Sequence, residues 1–101
     1  MNKQELNEKL ASLYGVEKTK FYCNMISDGS VWENEVLLID DWDRLMPLAI
    51  LNKIGFVAMN DIVLAGRDEI QDKQSYSDHE TIEAAAQYAI AMALVKLAEI
   101  K

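Results

Sequence analysis

Leu6, Leu10 and Leu13 recur at helical spacing near the start of the chain while Glu5, Glu8 and Lys9 fall off that stripe, which predicts a short amphipathic helix over 2–14. Gly15 follows the last periodic residues and suits the left-handed conformation that commonly ends a helix. From Glu17 to Asn34 the pattern thins: Phe21-Tyr22-Cys23-Asn24-Met25-Ile26 reads as a short strand, and Ser27-Asp28-Gly29-Ser30 as a turn. The apolar run Glu35-Val36-Leu37-Leu38-Ile39 reads as a second extended segment, ending at Asp40-Asp41.

Asp40 or Asp41 can accept from the first unpaired amides of a helix, and Asp43 adds negative charge at the positive end of its dipole, so a helix is expected to begin near Trp42. Its inner face would carry Trp42, Leu45, Met46, Ala49 and Ile50, with a kink or break at Pro47 because proline removes one backbone bond. Ile54-Gly55-Phe56-Val57-Ala58-Met59, the turn residues Asn60-Asp61, and Ile62-Val63-Leu64-Ala65-Gly66 then spell a hairpin. Residues 67–78 are polar and poor in branched apolar side chains, which predicts an exposed loop. Ser77 stands three residues ahead of Glu80, the spacing of a capping box, and behind it an alanine-rich helix is expected to run to about Ile100.

The resulting expectation is an α+β fold in a single domain, 1–101. A small antiparallel sheet of three to four strands is packed by an N-terminal helix, a middle helix and a long C-terminal helix. The expected core holds Leu6, Leu10, Leu13, Val36, Leu38, Trp42, Leu45, Ala49, Phe56, Ala58, Val63, Ile82, Ala86, Ala89, Ile90, Ala93 and Leu97.

Charge changes the picture. Ten Lys and Arg stand against 17 Asp and Glu, a net charge of −7, so a phosphate polyanion is repelled on average and direct nucleic-acid binding is not expected. The excess is local: residues 60–83 carry seven acids against two bases. The lone Cys23 has no internal disulfide partner, and no apolar stretch approaches the roughly 20 residues that span a bilayer. The opening Met1-Asn2-Lys3-Gln4-Glu5 lacks the basic-then-apolar plan of a signal peptide, so a cytoplasmic protein with no membrane contact is expected.

The residue types for bond-making chemistry do not converge. His79 is the only histidine, which rules out a two-histidine metal site, and it reads as an exposed first-turn residue rather than a base. Cys23 has no basic neighbour in sequence to activate it and reads as an inert thiol. Asp40, Asp41 and Asp43 lack the spacing of a calcium loop, and helix capping accounts for them. The four glycines are scattered and form no phosphate loop. No catalytic residue, metal or cofactor is expected. Trp32, beside a turn, and Tyr76, in the acidic stretch, are the aromatic candidates for anchoring a partner; packing over the start of the last helix is the competing role for Tyr76.

The tract from Asp40 to Ile100 resembles small phage and prophage proteins with a phage α/β/α sandwich domain, a group that includes a nin-region protein of lambdoid phages. The residues that carry the likeness are Asp41-Trp42, Met46-Pro47-Leu48-Ala49-Ile50, the strand start Ile54-Gly55-Phe56, and the helix Ala89-Ile90-Ala91-Met92-Ala93-Leu94. The resemblance implies phage origin and an α+β sandwich, and supplies no biochemical activity. Together with the localised acid it leads to the expectation of a non-enzymatic protein that inhibits or modulates a bacterial host factor. One form is an anti-defence protein, anti-CRISPR or anti-restriction, offering Asp68, Glu69, Asp72, Asp78, Glu80 and Glu83 to a basic nucleic-acid site on a host protein. The alternative expectation is a phage structural or assembly protein that acts through self-association as a homodimer.

Overall fold

In a computed structural model of the chain, residues 2–15, 19–25 and 31–100 are described, and the side chains among them for 2–15 and 37–100. Helix α1 spans Lys3–Tyr14. Asn2 caps it, its Oδ1 accepting from the Glu5 amide at 2.8 Å, and Gly15 closes it at φ 64° with its N–H on the Ala11 carbonyl. The buried face is Leu6, Asn7, Leu10 and Ala11, so Leu13, expected inside, turns to solvent. Tyr14 takes the inner position instead, its hydroxyl donating to the Leu94 carbonyl at 2.6 Å.

Strands β1 (Thr19–Met25) and β2 (Val31–Leu37) pair antiparallel from Thr19↔Leu37 to Met25↔Val31, forming a two-stranded ribbon separate from the second sheet. The expected second strand therefore starts earlier, taking in Trp32. It also ends earlier, because Leu38–Asp40 close into a 3₁₀ turn that buries Leu38 and Ile39. The Ile39 amide in that turn donates to Asn7 Oδ1 at 3.1 Å, which ties the turn to α1. The expected turn at 27–30, and the side-chain surroundings of Cys23, Trp32 and Val36, lie outside the described residues.

Helix α2 spans Trp42–Leu51 behind the Asp41 cap, whose carboxylate accepts from the Asp43 amide at 3.1 Å. Of the kink or break expected at Pro47, the break does not occur: the helix runs continuously through it. Pro47 lies on the exposed side, where water can satisfy the Asp43 carbonyl that the proline leaves without a donor.

The second sheet has the order β3-β4-β5, all antiparallel: Gly55–Ala58, Ile62–Arg67 and Ile70–Ser75. The β3–β4 hairpin turns at Asn60-Asp61 as its residues dictate, with the Met59 amide donating to the Ile62 carbonyl at 2.8 Å. The expected loop over 67–78 is largely strand β5, reached through the two-residue turn Asp68-Glu69. The partner strand supplies the reason. β4 offers an unpaired edge, and a polar segment that pairs with it satisfies both backbones while its own side chains alternate between water and the interior.

Tyr76–Asp78 form a 3₁₀ turn, and α3 begins only at Ile82, running to Ile100. The expected Ser77–Glu80 capping box does not form. Thr81 is the cap, its Oγ1 accepting from the Ala84 amide at 2.9 Å, and Ser77 Oγ lies 3.0 Å from Ser75 Oγ. Helix α3 is buried nearly all round, from Ala85 to Leu97, because it lies between the sheet on one side and α1 and α2 on the other. Its alanines let the flanking backbones approach closely. Pairing places Phe56 and Ala58 on the same sheet face as the buried Val63 and Ala65, yet both are exposed on β3, one of the two edge strands. Phe56 is covered in part by Trp42, stacked at 6.2 Å between ring centroids. Ile82, also expected in the core, is exposed in the first turn of α3.

Candidate functional site

Strand β5 ends beside the start of α3, and the connecting residues 76–81 wrap one end of the helix. A cleft of about 640 Å³ opens there. Its floor is α3, contributing Ala84, Gln87, Tyr88 and Met92 at one-turn spacing. Gln74 of β5 and the segment Asp78-His79-Glu80 form one wall, and Lys3, Ile39 and Asp40 form the other.

The β5 wall is held by a chain of polar contacts. Lys96 Nζ donates to Asp72 Oδ1 at 2.9 Å, Gln74 Nε2 donates to Asp72 Oδ2 at 2.7 Å, and His79 Nε2 lies 3.0 Å from Gln74 Oε1. Because the Gln74 nitrogen faces a carboxylate, its oxygen faces the imidazole, and His79 Nε2 is the donor of that bond. The ring packs on Tyr88 with centroids 5.1 Å apart, tilted by 50°. His79 is thus half-buried and committed, in place of the exposed first-turn residue the sequence suggested. The Tyr88 hydroxyl pKa is raised, first by burial and then by the negative fields of Asp72 and Glu5. On the opposite wall Lys3 Nζ meets Asp40 Oδ1 at 2.6 Å. Gln87, 6% exposed, has a side chain with no hydrogen-bond partner among the described residues.

The structure gathers some of the acids expected to meet a partner and separates others. Asp78 and Glu80 line the cleft, joined by Asp40. Glu83 lies in the first turn of α3, exposed, and accepts a bond from the Trp42 indole Nε1. Asp68 and Glu69 sit at the far end of β5, a strand length of about 20 Å away. Asp68 there takes φ 51°, with its carboxylate 3.4 Å from Arg67 Nε. Asp72, expected on the surface, is 8% exposed and neutralised by Lys96, so it is withdrawn from any partner. Tyr76 is half-buried: its hydroxyl donates to the Met59 carbonyl at 2.7 Å, and its amide donates to the Asp61 carbonyl. Trp32 belongs to β2, and its side chain lies outside the described residues.

Sequence reasoning missed Lys3, Asp40, Gln74, Gln87 and Tyr88 as members of one site. One signal was present. Gln87 and Tyr88 are the polar-tipped residues in the otherwise apolar run from Ala84 to Val95, and a polar residue on a buried helix needs a reason.

Among the described residues no group of three His, Cys, Asp or Glu side chains is placed to hold a metal ion. No described helix is long and apolar enough to cross a membrane. The arrangement is suited to binding: a cleft with carboxylates at its mouth, amides and aromatic rings inside. Comparison with models of known families, with characterised proteins and with solved structures finds no match to this chain.

Proposed function

We propose that this chain is a non-enzymatic binding protein that docks the acidic end of α3 on a basic surface of a partner protein. The observation that carries the reading is the convergence of Asp40, Asp78 and Glu80 on one cleft in which Lys3 is the one lysine or arginine among the described lining residues. Like charge concentrated around a concave site raises the local potential, steers a cationic surface and suppresses anionic competitors. The commitment of His79 to Gln74 supports a binding role over a catalytic one. With the resemblance to phage α/β/α sandwich proteins, the partner is a cytoplasmic bacterial host factor, in the sharpest form a defence nuclease whose nucleic-acid groove the acids occupy.

The test is capture from a bacterial lysate by wild-type protein and by the Asp78→Lys/Glu80→Lys variant, at low and moderate salt, followed by binding of each purified candidate. A basic protein held by wild type, lost in the variant and weakened by salt supports the reading. Equal retention by both proteins overturns it.

A second reading, self-association in a structural or assembly role, is favoured by β3. This edge strand is exposed along its whole length, with Val57 58% and Phe56 42% accessible and Leu51, at the end of α2, 79% accessible. An unpaired apolar edge is a template for strand addition. Light scattering decides it: a concentration-dependent dimer abolished by Val57→Lys supports this reading, and a monomer at high micromolar concentration removes it.

A further inference from the structure

We propose that the cleft between the Asp78–Glu80 segment and α3 takes an alkylguanidinium group, the head of an arginine side chain or of its free small-molecule analogue. This deepens the acidic-docking reading by naming the chemistry recognised, and rests on it only for the sign of the partner's charge.

The argument begins at Gln87. Gln87 is 6% exposed on a helix buried nearly all round, its carboxamide has no side-chain partner among the described residues, and the carboxamide's polar atoms stay accessible to solvent. It lines the cleft, so what satisfies it enters from there. Its oxygen calls for an N–H donor. The mouth sets the charge: three carboxylates, Asp40, Asp78 and Glu80, face one ammonium, Lys3, which Asp40 already engages at 2.6 Å. An anion is excluded, and an uncharged planar ligand leaves the remaining acids unanswered.

The interior separates guanidinium from ammonium. The Tyr88 and His79 rings and the apolar Ala84 and Met92 line the same cleft as Gln87. A compact, strongly hydrated ammonium keeps its water and stays among the carboxylates. A guanidinium is planar, weakly hydrated and rich in donors, so it can lie against an aromatic face and donate to Gln87 and to a rim carboxylate together. Its alkyl stem is matched by Ala84 and Met92. A volume of about 640 Å³ exceeds one side chain and leaves room for flanking backbone.

The experiment is a titration of ¹⁵N-labelled protein, followed by amide shifts, with three probes: agmatine, a blocked Gly-Arg-Gly peptide and a blocked Gly-Lys-Gly peptide. Saturable shifts centred on Gln74, Gln87 and Tyr88 are expected, with the arginine peptide binding at least about fivefold tighter than the lysine peptide. Gln87→Leu is expected to weaken the arginine peptide about tenfold. Glu80→Gln, an exposed substitution that leaves the fold intact, is expected to weaken it about two- to threefold, and this variant carries the test if Gln87→Leu fails to fold. Saturation by agmatine alone assigns a free small molecule as the source, and saturation by the arginine peptide assigns a protein side chain. Equal binding of the arginine and lysine peptides, with Gln87→Leu and wild type alike, overturns the inference while leaving acidic docking intact. Absence of saturable shifts with all three probes also overturns it, whatever partner the lysate capture yields.

Discussion

Lys96, near the C-terminal end of α3, places its ammonium 2.9 Å from Asp72 at the middle of β5, and the same nitrogen reaches the Gln71 carbonyl at 2.9 Å. The two ends of the contact are unequal, with Lys96 partly in water and Asp72 buried. The lysine is therefore what makes a carboxylate tolerable on the inner face of the sheet, and through Gln74 the same carboxylate fixes His79 in the cleft wall.

Removing the cation should cost more than removing the charge it answers. Lys96→Met leaves a buried carboxylate with an amide partner only, and is expected to destabilise by about 1–3 kcal/mol. Asp72→Asn keeps a polar group in reach of Lys96 and Gln74 and should cost less. Urea unfolding of the two variants checks the order, and a larger loss for Asp72→Asn would show that Lys96 is not the stabilising partner.

Gly66 sits opposite Gln71 at φ 157°, and a Cβ there would lie 2.0 Å from the Ile70 carbonyl oxygen. Backbone cannot move aside cheaply at the centre strand of a sheet. Gly66→Ala is expected to destabilise by more than about 2 kcal/mol, beyond the usual cost of a single substitution. The midpoint of thermal unfolding measures it, and an unchanged midpoint would mean that the β4–β5 pairing is wrong.

The cap of α3 can be tested residue against residue. Thr81→Ala removes the acceptor for the Ala84 amide and should cost about 1 kcal/mol. Ser77→Ala loses only a hydroxyl pair in a 3₁₀ turn, and its effect should stay within about 0.5 kcal/mol. Denaturant midpoints of the two variants give the answer. A larger loss from Ser77→Ala would restore the capping box at Ser77 and Glu80.

Two tyrosines link stability to alkaline pH. Burial raises the pKa of Tyr14, and burial with the fields of Asp72 and Glu5 raises that of Tyr88, both from an ordinary value of 10.0. Below pH 10 both tyrosines are protonated folded or unfolded, and the stabilisation is fully present. Above it the native state keeps protons that the unfolded chain has lost, so stability falls as pH rises through the folded values. Tyr14→Phe and Tyr88→Phe should each flatten that fall, measured by unfolding free energy between pH 9 and 11. Tyr14→Phe should also lower stability at pH 7 by about 1 kcal/mol through loss of the bond to Leu94.

Local rules made α1, α2 and the β3–β4 hairpin legible in the sequence. Asn2 and Gly15 bracket one leucine stripe, Asp41 opens the next helix, and Asn60-Asp61 join two apolar runs, so each element carries its own start and stop. Strand β5 has no such signature. Gln71, Asp72, Lys73 and Gln74 read as loop, and they become strand because β4 presents an edge and because Lys96, 24 residues on, neutralises the one acid that points inward. The start of α3 was misplaced for a related reason: Ser77 and Thr81 both offer a hydroxyl, and the 3₁₀ turn at Tyr76–Asp78 holds Ser77 away from the helix.

The sequence by itself determined the α+β class, the order of helices around a hairpin, and the negative charge concentrated between residues 60 and 83, because periodicity, turn chemistry and charge are properties of neighbours along a chain. Tertiary structure alone decided that Asp72 is buried while Asp78 and Glu80 meet Asp40, and that Gln74, His79, Gln87 and Tyr88 share one cleft. Those relationships join β5, α3, the linker between them and the turn beside α1. They depend on which faces the elements bury against one another, and burial of that kind is fixed only when the elements pack.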